Sequence, residues 1–147
     1  MSDPSIILDD GLFQLRQAEF CALPGYLVLR LSGETRSLGE LDGATAEALG
    51  RLLFWAARAL EEVAEADRVY VLSFAEVDRQ LHFHLLPRSS WLADAFRAAT
   101  GAGAGPVDGP RLFQWAREVY LRPADLPPAA PGLADTLGRV RQVLAAP

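Results

Sequence analysis

Short runs of β-prone residues dominate the first fifth of the chain. Residues 6–8 are apolar, residues 12–16 alternate between apolar and polar, and residues 26–31 are almost entirely apolar. The sequence Asp-Asp-Gly at 9–11 separates the first two runs, and Asp-Gly between such runs is typical of a β-hairpin. The pattern therefore predicts two hairpin strands, and a third strand that follows Pro24 and Gly25.

A long amphipathic pattern follows the polar connection at residues 32–43. Between residues 44 and 64 the apolar positions recur at spacings of three and four. They are Leu49, Leu52, Leu53, Ala56, Leu60 and Val63. This spacing places them on one side of a helix, so we predict a helix over residues 44–64 with one buried face.

The remaining pattern predicts one more hairpin and then helices. Residues 68–74 and 80–86 are β-prone and flank a polar connection, so we expect them to pair antiparallel, with Pro87 ending the second strand. Helical patterns begin near Ser89 and Ser90 and continue to residue 99, then occupy residues 110–121 and 133–144. Gly-rich residues 101–105 and Pro-rich residues 123–131 separate these helices.

These elements predict one α+β domain over residues 1–147. We expect an antiparallel sheet of about five strands and one long packed helix within a core of about residues 6–90. A helical C-terminal extension of about residues 91–147 follows. The length of 147 residues agrees with one domain, and 50% hydrophobic residues are sufficient for a core.

Charge and cysteine content exclude several classes of function. The formal net charge is −5, which disfavours binding to nucleic acid through its phosphates, and all 14 basic residues are Arg, which excludes lysine chemistry. The single cysteine, Cys21, cannot form a disulfide within the chain. The sequence has neither a signal-peptide pattern nor an apolar stretch long enough to cross a bilayer. We therefore expect a cytoplasmic protein without a membrane span.

The two histidines of the chain lie two residues apart, at positions 82 and 84. In a strand, Gln80, His82 and His84 share one face while the intervening residues point to the core. Imidazole is suited to acid–base chemistry, metal binding and nucleophilic attack on phosphorus. Alternatively, the pair are half-buried histidines whose hydrogen bonds are satisfied by neighbours. No third histidine and no nearby following carboxylate complete a metal site, so we expect neither a metal nor a cofactor.

The residues around this pair resemble the histidine triad (HIT) superfamily. Its signature is His-x-His-x-His followed by apolar residues, often ending in Pro-Arg, and residues 80–88 read Gln-Leu-His-Phe-His-Leu-Leu-Pro-Arg. Gln80 thus occupies the first triad position. The sequence Pro-Gly-Tyr-Leu-Val-Leu at 24–29 is similar to the family's Pro-Gly-His-Leu-Val-Ile strand. Residues 37–41 and the helix that follows also match, so the resemblance covers about residues 12–88.

The resemblance implies a nucleotide hydrolase or transferase. His82 would attack the α-phosphorus of a dinucleoside polyphosphate or a nucleoside phosphoramidate, and a nucleotidyl-histidine intermediate would form. His84 would hold the phosphate, and Gln80 would keep a hydrogen bond but could not titrate near neutral pH. Family members are commonly homodimers, so a nucleotide and a second copy are the implied partners.

Three further residues are assigned from the resemblance. Arg88 is either a phosphate clamp or a charge at the end of the strand. Glu76 stands where a phosphate-contacting Gln is usual, in a loop without glycine, and Glu19 lies where a ribose-contacting residue is common. The lost triad histidine and this acidic loop motivate a second hypothesis, a catalytically impaired HIT-like protein that binds a nucleotide or a partner.

The aromatic residues Trp91, Phe113, Trp115 and Tyr120 are expected to pack in the core or a dimer rather than to stack on a base.

Overall fold

An antiparallel five-stranded sheet is the centre of the computed structural model, which describes residues 2–146. The strands are β1 (Ile6–Asp9), β2 (Phe13–Gln17), β3 (Leu27–Leu31), β4 (Ala66–Leu72) and β5 (His82–Ser89), in the spatial order β1-β2-β3-β5-β4. The helices are α1 (Gly43–Val63), α2 (Ser90–Thr100), α3 (Gly109–Val119) and α4 (Leu133–Ala145). The expected α+β class and five-stranded antiparallel sheet are confirmed. Within residues 2–146 no helix combines the length and apolar character that a membrane crossing requires.

The larger core lies between one face of the sheet and helices α1 and α4. The predicted helix over residues 44–64 is confirmed to within one residue at each end, and Asp42 caps it by accepting a hydrogen bond from the Thr45 N–H at 2.8 Å. Leu60 on α1 and Val140 on α4 are fully buried against Leu85 of β5. Helix α4 thus returns from the end of the chain to complete the same core as α1.

Helices α2 and α3 cover part of the opposite face of the sheet. Their residues Phe96 and Leu112 form a second core with Leu86 of β5 and with Tyr26, which precedes β3. Phe113 and Tyr120 are buried in this core, and the two tryptophans of the helices are partly buried against it, as expected for packing residues. The C-terminal helices therefore contribute to the layers on both faces of the sheet, α4 beside α1 and α2 with α3 opposite. The uncovered part of the second face carries the histidines.

Strand β5 differs from the predicted strand at both ends. It begins at His82 rather than at Gln80, because the Leu81 N–H donates to the Thr35 carbonyl at 2.8 Å, outside the strand ladder. It also continues through Pro87 to Ser89. Pairing with β3 ends at Leu85, so at Pro87 the strand has β4 as its one neighbour, and an absent N–H is tolerated at such an edge.

A tight turn before β3 fixes the start of that strand. Gly25 has a φ of +84°, which favours glycine, and its N–H donates to the Gln17 side chain at 3.0 Å. The same Gln17 amide donates to the Leu23 carbonyl at 2.8 Å. A Cβ at residue 25 would lie 3.3 Å from both Leu60 Cδ2 and Pro87 Cγ. The turn thus brings the next residue, Tyr26, into its buried position.

We predict that Gly25→Ala destabilises the protein by about 1–3 kcal/mol, because the new Cβ meets an unfavourable φ and two close contacts. Chemical denaturation monitored by circular dichroism measures the change. Gly50→Ala is the matched control, since Gly50 lies inside α1 with open space around it. That change should stabilise by about 0.5–1 kcal/mol. Equal effects of the two substitutions would contradict the prediction.

Candidate functional site

Two rows of side chains cross the sheet on the face that carries the histidines. Strand β3 separates β2 from β5, and its register places one residue beside each histidine. The first row is Gln14, Arg30 and His82, and the second is Arg16, Val28, His84 and Leu72. The two histidine rings lie side by side, with centroids 5.2 Å apart. The predicted shared face is therefore present for His82 and His84 but not for Gln80, which precedes β5, and it also carries Arg30.

A main-chain carbonyl orients His82. Its Nδ1 lies 2.7 Å from the carbonyl oxygen of Gln80. A carbonyl oxygen only accepts, so Nδ1 carries the hydrogen, and in the neutral ring Nε2 holds the lone pair. His82 is only 8% exposed, but within residues 2–146 its Nε2 has no hydrogen-bond partner and is not enclosed. In its neutral form, His82 thus directs the lone pair of Nε2 away from the hydrogen-bonded side of the ring.

Tyr26 holds the second histidine. Its hydroxyl lies 2.7 Å from Nδ1 of His84, and the rings of Phe20 and Phe113 lie 5.8 and 6.1 Å from the His84 ring. Burial lowers the pKa of His84 to about 4, with smaller contributions from His82, Arg117 and Arg30. Burial also raises the pKa of Tyr26, so the phenol stays protonated and we assign it as the donor to Nδ1. In that assignment, neutral His84 presents its Nε2–H to the site.

The side chain of Gln80 bonds to the main chain of the β3 end. Its amide nitrogen donates to the carbonyls of Leu31 and Gly33, and its oxygen accepts from Arg30 at 3.3 Å. Arg30 also forms an ion pair with Asp78. The hydrogen bond from Arg30 lowers the pKa of Asp78, so this carboxylate stays ionised beside the site. Gln80 therefore acts on His82 through its carbonyl, while its side chain holds the neighbouring loop.

The connection between β4 and β5 is exposed around Glu76. Glu76 lies 4.0 Å from Arg79, and both side chains are mostly exposed. Ala75 has a φ of +52°, the left-handed conformation that glycine adopts without strain. The sequence shows no glycine here, yet the backbone makes a glycine-like turn. No described hydrogen bond joins Glu76 to the histidine pair.

Arg88 lies far from the histidine pair. It points from the same face of β5 but is six residues from His82, about 20 Å along a strand. Its guanidinium forms an ion pair with Asp67 at 3.1 Å. The structure thus separates Arg88 from the other predicted site residues.

Glu19 lines a cleft beside the second row. The cleft has a volume of about 110 Å³ and is adjacent to His84 through Phe20. Its walls are formed by Arg16, Gln17, Ala18, Glu19, Phe20, Val28 and Arg30. Glu19 is 73% exposed and forms an ion pair with Arg16 at 2.5 Å. The structure therefore brings Glu19 to the rim of an opening that adjoins the histidine pair.

Sequence patterns did not identify Arg30 or Arg117 as part of the site. Arg30 had a usable signal, since it is the one charged residue in the apolar run at 26–31. Arg117 had a weaker one, its position four residues after Phe113 on the same helix face. Nothing in the sequence links that helix to His84, because the contact depends on how α3 packs on the sheet.

The geometry gives no support for a metal site at the histidine pair. Nδ1 of each ring is already held by a hydrogen bond. Throughout residues 2–146, no three His, Cys, Asp or Glu side chains are grouped closely enough to hold a metal ion. The Nε2 atoms of His82 and His84 remain. They suit a ligand that one nitrogen attacks and the other binds through a hydrogen bond.

Comparisons with known proteins identify the fold. No protein-family model matches the sequence, and no curated protein matches it significantly. Among solved structures, a histidine triad protein from Bradyrhizobium japonicum is 20% identical and has a TM-score of 0.60, with 93% of this chain and 87% of that chain covered. The chain has the histidine triad fold.

Two other solved structures with this fold also superpose on nearly the whole of this chain. A HIT-like protein from Bartonella henselae is 16% identical, with a TM-score of 0.58 and coverage of 97% of this chain and 88% of that one. A hypothetical histidine triad nucleotide-binding protein from Sulfolobus tokodaii is 12% identical, with a TM-score of 0.55 and coverage of 95% and 80%. The histidine triad fold thus includes the C-terminal helices of this chain, which the sequence resemblance did not reach.

We predict that His84 makes folding stability depend on pH between about 6.5 and 4. The unfolded chain protonates this histidine below about 6.5, whereas the folded protein protonates it near 4. The unfolded state therefore binds more protons in this window, and stability falls as the pH falls, by about 1–3 kcal/mol in total.

Denaturation of the wild-type protein and His84→Gln at several pH values between 7.5 and 4.5 checks this. The variant lacks the titrating ring, so its free energy of unfolding should fall less over the window. Parallel pH curves for the two proteins would show that His84 titrates normally in the folded state.

Proposed function

We propose that this protein is a nucleotide hydrolase or nucleotidyl transferase in which His82 attacks the α-phosphorus of a nucleotide. The hydrogen bond from His82 Nδ1 to the Gln80 carbonyl is the observation that carries the proposal. It leaves a lone pair on an accessible Nε2, which is what a nucleophile requires. The histidine triad fold supports the same assignment, and one of the solved proteins with this fold is described as nucleotide-binding.

The proposed reaction has two displacements. Nε2 of His82 forms a bond to the α-phosphorus, and the bond from phosphorus to the leaving group breaks, with its electron pair departing on that group. Water then attacks the nucleotidyl-histidine, loses a proton, and releases the nucleoside monophosphate and the imidazole. Another nucleophile in place of water gives transfer.

The neighbouring residues have separate tasks in this scheme. His84 donates its Nε2–H to a phosphate oxygen and stays neutral throughout. Gln80 cannot supply the leaving-group proton, because an amide does not titrate near neutral pH. That proton therefore comes from solvent or from the substrate, which favours leaving groups that need little protonation.

The cleft beside the second row is the proposed site for the nucleoside. It adjoins His84, and Glu19 at its rim can accept hydrogen bonds from ribose hydroxyls once it turns from Arg16. Glu76 and Arg88 are left outside the proposed site, because Glu76 is solvated and Arg88 is paired with Asp67.

A second function is favoured by one observation. Gln80 has no free side-chain group directed at the histidine pair, since its amide is occupied by Arg30 and two main-chain carbonyls. A site without an acid in that position suits a protein that binds a nucleotide or a partner with little turnover. We rank this catalytically impaired form second.

Assembly and location are proposed from the resemblance to the family. We propose a cytoplasmic homodimer that does not bind nucleic acid, in line with the net charge of −5. The exposed ring of Phe54 on α1 and the unpaired edge of β4 are surfaces that a second copy could cover.

We predict that His82→Ala lowers the rate of AMP release by at least about a thousandfold, because it removes the nucleophile. Adenosine phosphoramidate and diadenosine polyphosphates are suitable substrates, with AMP measured by chromatography. Circular dichroism should show an unchanged fold. Arg68→Ala is the control for activity, because Arg68 is an exposed residue beside Arg88, at the end of the sheet far from the histidine pair. Equal AMP release by wild type and His82→Ala would exclude the proposed nucleophile. AMP binding without any release by the wild type would favour the second function.

A further inference from the structure

Arg117 of helix α3 stacks on the aromatic rings that surround His84. Its guanidinium carbon lies 5.1 Å from the ring centroid of Phe20 and 5.3 Å from that of Phe113. The same two rings contact the His84 ring. Phe20 also lines the cleft at the second row. The α3 helix thus brings a positive charge to the junction of the cleft and the histidine pair.

This guanidinium has no carboxylate partner within residues 2–146. Five other arginines, at positions 16, 30, 88, 97 and 122, form ion pairs with Asp or Glu at distances below 4.0 Å. The Nε of Arg117 is buried without a hydrogen-bond partner, while its two terminal nitrogens are not enclosed. Contact with two aromatic rings restrains the guanidinium and leaves its charge available to an anion.

The histidine site needs such a charge if it holds a phosphate. His84 is neutral at physiological pH, so it supplies a hydrogen bond but no charge. The two arginines of the rows are both paired with carboxylates. Arg30 is paired with the ionised Asp78 and also bonds Gln80. Arg16 is paired with Asp3 and Glu19. Arg117 and Arg30 are the arginines whose charges act on His84, and of these two only Arg117 has no ion pair among the described residues. Arg117 is therefore the cation available to a phosphate beside the histidine pair.

We propose that Arg117 binds the α-phosphate of the nucleotide, a role contributed by the C-terminal helices rather than by the histidine strand or the β4–β5 loop. This inference rests on the proposed function and names the residue that supplies its positive charge. The guanidinium approaches the phosphate with its terminal nitrogens, and Phe20 and Phe113 hold it in place. Its charge compensates for the acidic residues of the loop and for the absence of a charged histidine.

Binding measurements with AMP and adenosine test the proposal without relying on turnover. Isothermal titration calorimetry on the full-length protein should show AMP bound more tightly than adenosine. Arg117→Gln should weaken AMP binding by about 10–100-fold, the loss typical of a hydrogen bond to a charged group. Adenosine binding should change by less than about twofold, because adenosine has no phosphate. Arg117→Lys should recover part of the AMP affinity, since it keeps the charge.

Arg111→Gln is the matched control, because Arg111 lies on the same helix and contacts a phenylalanine ring outside the site. Its guanidinium carbon is 5.8 Å from the ring centroid of Phe96. It should leave AMP binding unchanged.

If Arg117→Gln binds AMP as the wild type does, the role of Arg117 is refuted while the proposed function stands. If AMP and adenosine weaken equally, Arg117 is structural and the inference also fails. If the wild-type protein binds neither compound, the proposed function itself is overturned.

Discussion

The pairing of β3 with β5 is the constraint on which the rest of the structure depends. Leu27 and Leu29 lie opposite Leu85 and Phe83 on the face that α1 covers. On the other face, the same register places Arg30 beside His82. A shift by one residue would turn the apolar side chains to solvent and the histidines into the core. The free energy of burying the leucines therefore also fixes the geometry of the polar site.

Burial at this site changes which groups carry charge. Tyr26 and Phe113 of the second core, together with the partly exposed Phe20, surround His84. Removal from water favours the neutral imidazole. Aromatic rings thus convert a residue that is normally half charged near pH 6.5 into a neutral hydrogen-bond donor. The positive charge of the site consequently resides on arginines, whose guanidinium groups stay protonated under any physiological condition.

The orientation of His82 depends on the main chain rather than on the residue type at position 80. Any residue there offers the carbonyl that accepts from Nδ1. A glutamine at position 80 therefore leaves this hydrogen bond intact, and its side-chain amide binds the main chain at the end of β3. The loop shows the same separation of backbone and side chain, because Ala75 adopts a left-handed conformation without being glycine. At positions 75 and 80 alike, the backbone keeps its conformation or its hydrogen bond whichever side chain is present. The side-chain chemistry at these two positions is therefore not determined by the backbone.

The sequence by itself determined the elements and the shared face of the histidines, because periodicities of 2 and 3.6 residues depend on local geometry. It also identified the resemblance that the fold supports. Tertiary structure alone decided that β5 passes through Pro87, that Arg88 is paired at the far end of the strand, and that Arg117 stacks beside His84. These outcomes depend on contacts between segments far apart in the chain, whose energies come from packing and burial rather than from local pattern. Residue spacing along β5 decided that His82 and His84 share one face. The packing of α3 on the sheet decided that Phe113 and Arg117 lie beside them.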